Sequence, residues 1–399
     1  MSSLELLVDD IDGFLFAAVV DDGYLIDLYI NKPYINGSWA SMYLGKIMKI
    51  DTKQDAAFVD LGNNLVGYLS AEHALVRTPG VEIPRSGISK MVKNGDTFLV
   101  QIKAEGKSHS LYENHKHPRI TANLHVPGGF LVYMPHSDNI NYSGNIDEKF
   151  IDKLKTKVNL DGGWKFYSSA VKLSNDEIEY EVEYLKQHWQ HLLDRADRQT
   201  GQPGLIEVGP IALFRAFMDY GAASFDHIYA GNNMILKIIT DWSGKHLPRL
   251  ATSKRLRLFK PQKPGERLFD TYDLYGEIEK LKSPLVEMPQ GGTLIIENTS
   301  AFTTIDINQG GSSSIEDTNF RATYEVARQI KLRNLSGAIL IDFIGNVPLK
   351  TERKRLLDAL ESYLKDDIGE AQVHGFTRLG IVEITRRRRS APLHEKLDL

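Results

Sequence analysis

The spacing of apolar and polar positions divides the first part of the chain into short β-type segments. From Gly13 to Pro33 the two kinds of residue alternate, which predicts a hairpin that turns near Asp21 to Gly23. Several short strands with glycine-containing turns follow between Met42 and about Leu124, a pattern typical of a small closed barrel. A further strand is predicted at Phe130 to Met134.

The middle of the chain changes to helical spacing. Residues 175 to 197 predict one long helix, because Ile178, Val182, Leu185, Trp189 and Leu192 recur every three or four positions. Residues 213 to 220 predict a second helix. Residues 233 to 240 fit either a strand or a helix.

The last third of the chain has the pattern of a strand, helix, strand unit. The predicted strands are GTLIIEN, AFTTIDIN and GAILIDFI, and a helix from about Thr318 to Arg333 precedes the last of them. Ser313 and Glu316 have the spacing of a capping box. Because such crossovers leave their two strands parallel, we predict an α/β fold here.

Length and charge limit the classes of protein to consider. At 399 residues the chain exceeds the usual size of one hydrophobic core, so we predict a multidomain α/β protein. A net charge of -4 argues against binding nucleic acid through bulk charge. Local basic runs could contact phosphates, although a solvated face is the commoner role of any single run. The runs are Arg386 to Arg389, Arg353 to Arg355 and Lys254 to Arg257.

Cysteine content and hydropathy bear on the setting of the protein. The sequence contains no cysteine, which excludes disulfides and thiolate metal sites. The acidic N-terminus does not resemble a signal peptide, and no apolar run approaches the roughly 18 residues of a membrane span. We therefore expect a soluble, cytoplasmic protein.

Two aspartates are the main candidates for chemistry. Asp306 and Asp342 each lie near the end of a predicted strand, so parallel pairing would bring both carboxylates to one edge of the sheet. Burial and mutual repulsion would disfavour the pair unless a cation lies between them, and oxygen ligands favour Mg²⁺ or Mn²⁺. The amide oxygen of Asn308 could also face the ion. Each Asp could instead simply cap a turn or helix.

Other candidates are less specific. The loop Gln309 to Ser314 could present backbone N–H groups to a phosphate, or could simply be flexible. His115 and His117 lack a convincing third metal ligand, so loop residues are the better interpretation. In the predicted barrel, Phe58 and Tyr68 fall on successive strands, where they could stack RNA bases or fill the core. Lys116 or Lys46 could hold the RNA backbone.

Taken together, these motifs resemble the bacterial ribonuclease E/G family from about Asp22 to Arg388. The most specific segments are TTIDIN, ILIDFI, ARQIKLR and FTRLGIVEITRRR, and GKIMKI, AAFVDLG, HKHPRIT and LFRAFMDY add to the likeness. The resemblance implies Mg²⁺-dependent hydrolysis of single-stranded RNA to 5′-phosphate and 3′-hydroxyl ends. A non-catalytic RNA-binding protein on the same scaffold is the alternative.

The resemblance also implies roles for individual residues. Asp306 and Asp342 would be metal ligands, with Asn308 supporting Asp306, and Arg378 would contact the scissile region. Three further residues, Phe58, Tyr68 and Lys116, would hold RNA.

The same likeness implies four structural parts. Residues 1–34 and 210–275 would form an RNase H-like subdomain, interrupted by an OB-fold (S1-type) domain at 35–125 and a 5′-sensor-like domain at 126–209. Residues 276–399 would form a DNase I-like catalytic subdomain.

The sequence departs from the family pattern in the sensor region. Tyr167 and Ser168 stand where sensing members have an Arg followed by Thr, and Gly144 and Asn145 stand where the family has paired arginines. We therefore expect a degenerate 5′-end pocket, with Lys172 as a partial substitute for the lost guanidinium. Because the sequence ends at Leu399 without cysteine, we also expect no zinc, no zinc-linked oligomer and no C-terminal small domain.

Overall fold

The computed structural model describes residues 3–31, 37–74, 87–106, 116–142, 146–299, 301–311, 314–347, 349–365 and 367–397. Its strands, in chain order, are β1 Leu4–Ile11, β2 Phe14–Asp21, β3 Tyr24–Asn31, β4 Met42–Asp51, β5 Ala56–Asp60, β6 Val66–Ser70, β7 Thr97–Ala104, β8 Arg119–Thr121, β9 Val126–Pro127, β10 Leu131–Met134, β11 Ile140–Tyr142, β12 Gly163–Phe166, β13 Gly204–Glu207, β14 His227–Ala230, β15 Leu256–Leu258, β16 Leu285–Glu287, β17 Thr293–Asn298, β18 Phe302–Asn308, β19 Gly337–Asp342, β20 Gln372–Phe376 and β21 Ile381–Arg386.

The α-helices are α1 Ala71–Ala74, α2 Ile88–Met91, α3 Glu148–Lys155, α4 Asn175–Arg198, α5 Ala212–Tyr220, α6 Asn233–His246, α7 Pro248–Ala251, α8 Leu274–Lys280, α9 Ile315–Leu332, α10 Lys350–Leu364 and α11 Leu393–Lys396. The predicted long helix and the helix at 213–220 are confirmed as α4 and α5, and the ambiguous segment 233–240 is the helix α6. No helix in the described ranges is long and apolar enough to cross a membrane.

The chain divides into two compact units. One comprises Ala18–Leu28 and Pro261–Leu399, and the other comprises Ser3–Ala17 and Tyr29–Lys260. A five-stranded sheet with the order β15-β14-β1-β2-β3 contains the predicted hairpin, whose strands β2 and β3 flank residues 22 and 23. The α/β character of the fold is confirmed, and the four domain limits given above stay predictions.

The predicted barrel is present and closed. Its strands follow the order β4-β5-β6-β8-β7, and pairing between β4 and β7 completes the circle, as in an OB-like fold. Gly45 and Gly67 face the interior. A Cβ atom would lie 2.7 Å from Val59 Cγ1 at Gly45 and 2.8 Å from Ile120 Cδ1 at Gly67, so the interior has room only for glycine at both positions. Strand β13 pairs antiparallel with the first residues of β4.

A four-stranded sheet with the order β11-β12-β10-β9 lies in the same unit as the barrel, together with α4. Glu181 of α4 is fully buried, and three polar groups contact its carboxylate. Its carboxylate accepts the backbone N–H groups of Gly129 and Phe130, at 2.5 and 3.0 Å, and lies 3.0 Å from His246 Nδ1 of α6. These bonds satisfy a buried carboxylate and tie α4 to α6 and to the start of β10.

The second unit contains a six-stranded sheet with the order β16-β17-β18-β19-β21-β20. Strands β18 and β19 are parallel and are connected by α9, which confirms the predicted strand, helix, strand unit. Buried side chains such as Ile305, Ile341, Val326 and Leu360 form a core in which one face of the sheet packs against α9 and α10. Side chains on the opposite face of β18 are partly or fully exposed.

The start of α9 corrects one detail of the prediction. The helix begins at Ile315, and its N-cap is Ser314, whose hydroxyl oxygen accepts a hydrogen bond from the Asp317 N–H at 3.1 Å. The predicted capping residue Ser313 lies outside the described residues. A serine one position later provides the same type of cap.

Candidate functional site

The two candidate aspartates are direct neighbours in the sheet. Asp306 of β18 and Asp342 of β19 are register partners in the parallel pair. Side chains that are in register on parallel strands point to the same face, and the two backbones lie about 4.8 Å apart. The structure therefore brings the two carboxylates together at the carboxyl ends of neighbouring strands, as the sequence predicted.

The surroundings of this pair differ from the prediction in one respect. Both aspartates are exposed, whereas Ile305, Ile307 and Ile341 beside them are buried. The carboxylates lie on the open face of the sheet, so the cost of burying a charge does not contribute to their need for a cation. What remains is the repulsion of two like charges held in register.

Asn308 lies two residues after Asp306 on the same exposed side of β18. Its amide Nδ2 donates a hydrogen bond of 2.9 Å to Asp306 Oδ2. The sequence allowed the amide oxygen of Asn308 to face an ion; the observed contact is made by its amide nitrogen, which holds the carboxylate of Asp306. This contact orients Asp306, and among the described residues no hydrogen bond engages its second oxygen.

Arg378 is placed at the same end of the sheet by topology. It lies in the turn between β20 and β21, and β21 begins at Ile381, the register partner of Asp342 in the antiparallel pair. The Thr377 hydroxyl shapes this turn by accepting the N–H groups of Leu379 and Ile381, at 3.2 and 3.1 Å. Arg378 is exposed in this turn.

Asn319 of α9 is a residue of the site region that sequence reasoning missed. It is fully buried, and its side chain brackets the backbone of Ile344, just after Asp342. Asn319 Nδ2 donates to the Ile344 carbonyl at 3.0 Å, and the Ile344 N–H donates to Asn319 Oδ1 at 3.0 Å. The sequence signal that could have identified Asn319 is a polar amide at a position of α9 that faces the core.

The barrel carries the candidate RNA-binding residues on its outer surface. Phe58 of β5 and Tyr68 of β6 are register partners, half-buried, with ring centroids 6.0 Å apart at 75°. The exposed His117 ring meets Phe58 edge-on at 5.7 Å. Lys116 and Lys46 are exposed. The two aromatic rings are partly exposed and lie outside the barrel core.

Tyr167, Ser168 and Lys172 are the described residues of the candidate 5′-end pocket. Tyr167 precedes a short 3₁₀ helix, Ser168–Lys172, and its backbone N–H donates to the Phe130 carbonyl at 3.0 Å. Lys172 Nζ donates to Ser224 Oγ at 3.0 Å. Gly144 and Asn145 lie outside the described residues.

Acidic side chains engage most of the basic run at Arg386. Arg386 is buried, and its guanidinium binds both carboxylate oxygens of Asp367, at 2.8 and 2.9 Å. Arg388 pairs with Glu395. Arg387 pairs with Glu370. Acidic side chains outside the run thus pair with Arg386, Arg387 and Arg388, and the run itself could not reveal these partners.

Of the remaining candidates, two arginines contact aromatic rings, and others lie outside the described residues. Arg353 and Arg355 of α10 lie over the rings of Phe376 and Phe320, at 4.8 and 3.9 Å. His115 lies outside the described residues, as do parts of the loop Gln309 to Ser314. In the ranges that the structure describes, no group of three or more His, Asp or Glu side chains is placed to hold a metal ion.

These features define a class of protein: a multidomain α/β chain with an OB-like barrel bearing aromatic rings, and a carboxylate pair on a separate mixed sheet. Comparison with known proteins gives the family. A model of the ribonuclease E/G family matches residues 125–389. The chain is 30% identical to ribonuclease G of Escherichia coli (strain K12), over 96% of this chain and 80% of the relative.

Two further relatives agree. The chain is 28% identical to ribonuclease G of Haemophilus influenzae, over 100% of this chain and 82% of the relative. It is 28% identical to ribonuclease E of Escherichia coli, over 96% of this chain and 36% of that longer relative. The chain belongs to the ribonuclease E/G family, which confirms the resemblance seen in its motifs.

Proposed function

We propose that this protein is an endoribonuclease that hydrolyses single-stranded RNA with a divalent metal ion, Mg²⁺ or Mn²⁺. The observation that carries the proposal is the register pairing of Asp306 with Asp342 on the open face of a sheet. Two like charges fixed side by side gain nothing from RNA binding alone, because RNA is itself anionic. The two carboxylates favour RNA binding only when a cation binds both of them and a phosphate.

The ligands present fit such an ion. Asp306 and Asp342 supply carboxylate oxygens, and Mg²⁺ is commonly bound by one or two carboxylates, with water and substrate phosphate completing its shell. Asn308 fixes the orientation of Asp306 through the 2.9 Å hydrogen bond. When bound, the ion would supply charge neutralisation at the scissile phosphate and activation of water. The absence of cysteine makes a thiolate zinc site unavailable.

The remaining steps follow from the chain's own residues. The barrel would hold the single strand, with bases stacked on Phe58 and Tyr68 and the backbone near Lys116. Arg378 would contact the scissile region as a cationic donor. Attack of water on phosphorus breaks the bond to the 3′ oxygen, which takes up a proton. The products then carry a 5′-phosphate and a 3′-hydroxyl.

The test is incubation of the purified protein with an internally labelled single-stranded RNA, with Mg²⁺ or with EDTA. We expect internal cleavage with Mg²⁺ only, and products whose new 5′ ends can be ligated directly because they carry phosphate. An RNA that is bound but not cut under any metal condition would overturn the proposal and identify a non-catalytic RNA-binding protein.

A further inference from the structure

One row of side chains crosses the outer surface of the barrel. In this row Lys49 of β4 is the register partner of Phe58, Phe58 is the partner of Tyr68, and Tyr68 is the partner of Arg119 on β8. Lys49 and Arg119 are exposed, while Ile120, the next residue of β8, is buried inside the barrel. The two aromatic rings thus have a basic residue on each side.

Arg119 lies at the β8 end of this row. Among the described residues, no hydrogen bond or ion pair engages its guanidinium. Adjacent strands in a sheet lie about 4.8 Å apart, so the side chain of Arg119 can reach over a nucleotide whose base stacks on Tyr68. A guanidinium is suited to this task because its planar fork matches two phosphate oxygens.

Two further basic groups stand beyond Arg119. Lys103 of β7 is exposed, and its Nζ lies 2.8 Å from Nε2 of His73. The pKa of His73 is lowered by partial burial, by the positive charge of Lys103 and, to a smaller degree, by Arg119, while Glu72 acts in the opposite direction. A histidine with a lowered pKa is uncharged near neutral pH, so His73 accepts the Lys103 Nζ–H, and the positive charge on this side of the barrel is that of Lys103 and Arg119, which can attract an anion.

We propose that Arg119, together with Lys103 and His73, forms a phosphate-binding site for the RNA backbone that continues the track beyond Tyr68. The site rests on the proposed function, since it presupposes that the barrel binds single-stranded RNA. It extends the RNA-binding surface across the barrel from Phe58 to β8 and β7, on the side away from Lys49.

The experiment measures binding of a short fluorescent single-stranded RNA in EDTA, so that cleavage does not interfere. Titrations at several NaCl concentrations compare the wild-type protein with Arg119→Ala, Arg119→Lys and Lys103→Ala. Lys93→Ala is the matched control, because Lys93 is an exposed lysine of the same barrel outside the row. Thermal unfolding verifies that each variant is folded.

We expect Arg119→Ala to weaken binding about tenfold, the usual worth of a charge-assisted hydrogen bond. Loss of one phosphate contact should also reduce the slope of log K against log [NaCl] by about 0.7. Lys103→Ala should act in the same direction, and Arg119→Lys should keep the salt slope while losing part of the affinity. Lys93→Ala should change neither quantity.

Wild-type affinity and an unchanged salt slope in both alanine variants would overturn this site while leaving the proposed function intact. If the wild-type protein does not bind RNA at all, the proposed function and the site fail together. An equal loss of affinity in Lys93→Ala would show that only general charge is measured, and would also overturn the site.

Discussion

Asp306 and Asp342 occupy the same register position on two parallel strands, and the helix α9 that connects the strands lies between the two residues in the sequence. The sheet therefore fixes their separation by backbone hydrogen bonds. Neither aspartate can move away from the other without disturbing the ladder between β18 and β19. This rigidity is what a two-carboxylate metal site needs.

From this relationship we predict that Asp306→Asn and Asp342→Asn each abolish Mg²⁺-dependent cleavage while leaving RNA affinity nearly unchanged. The amide removes the negative charge but keeps the shape. Cleavage rates and binding of the same labelled RNA give the two readouts. Glu297→Gln is the control, since Glu297 is an exposed carboxylate of the same sheet, on β17. Wild-type rates in either aspartate variant would show that the site is wrongly assigned.

The aromatic pair of the barrel gives a second prediction. Phe58→Ala or Tyr68→Ala should weaken RNA binding by about 1 to 3 kcal/mol, the usual worth of a stacked base. Met48→Ala serves as the control, because Met48 is an exposed apolar side chain on the neighbouring strand β4. If neither aromatic substitution changes affinity, the rings serve to pack against one another and against His117.

The parts of the fold that could be predicted from the sequence are those governed by local periodicity. The period of α4 and the alternation in β18 and β19 gave the correct elements, and the crossover rule gave parallel strands with Asp306 and Asp342 at one edge of the sheet. Periodicity also gave the barrel strands, since their turns are marked by glycine.

What could not be predicted depends on residues distant in sequence. The burial of Arg386 follows from its pairing with Asp367, 19 positions away, and nothing in the run RRRR distinguishes this arginine from its neighbours. The row that ends at Arg119 requires the pairing of β6 with β8, two strands separated by a long connection. Exposure of the aspartates depends on which sheet face the helices cover.

Asn319 leads to a third prediction, on positioning. Asn319→Ala leaves both the N–H and the carbonyl of Ile344 without their partner, so we expect a loss of about 1 to 3 kcal/mol in the free energy of unfolding. Cleavage should fall because the segment after Asp342 loosens, while RNA affinity stays near wild type. Asn319→Asp keeps the acceptor for the Ile344 N–H but places a buried carboxylate oxygen against the Ile344 carbonyl, so it should not restore the stability.

The control for Asn319 is Glu316→Gln, an exposed position in the same helix. Chemical denaturation and single-turnover cleavage are measured on each protein. A variant that loses stability but cleaves normally when folded would show that Asn319 has only a structural role.

The fourth prediction concerns acid stability. Burial, followed by the charges of His246, His191, Lys245 and Arg195, lowers the pKa of His188 to about 4. Its unfolded pKa is about 6.5, so the unfolded chain binds a proton that the folded protein does not. His188 therefore destabilises the fold progressively as the pH falls from about 6.5 to about 4. His188→Gln should make the melting temperature depend less on pH in this range. An unchanged pH dependence of the melting temperature would contradict the role given to His188.

The last prediction is that cleavage is nearly indifferent to whether the RNA begins with a 5′-monophosphate or a 5′-hydroxyl. A charged fork donates two strong hydrogen bonds to a dianion, whereas Tyr167 offers one neutral donor, worth about 0.5 to 1.5 kcal/mol, or at most around tenfold. Lys172 is held by Ser224, at 3.0 Å, which limits it as a substitute for the missing guanidinium. Rates for matched oligonucleotides that differ only at the 5′ end, measured over a range of substrate concentrations, give the comparison.

Lys172→Ala tests the remaining charge and should leave the ratio of the two cleavage rates near one. A monophosphate preference of a hundredfold or more in the wild-type protein would mean that another basic residue has rebuilt the pocket.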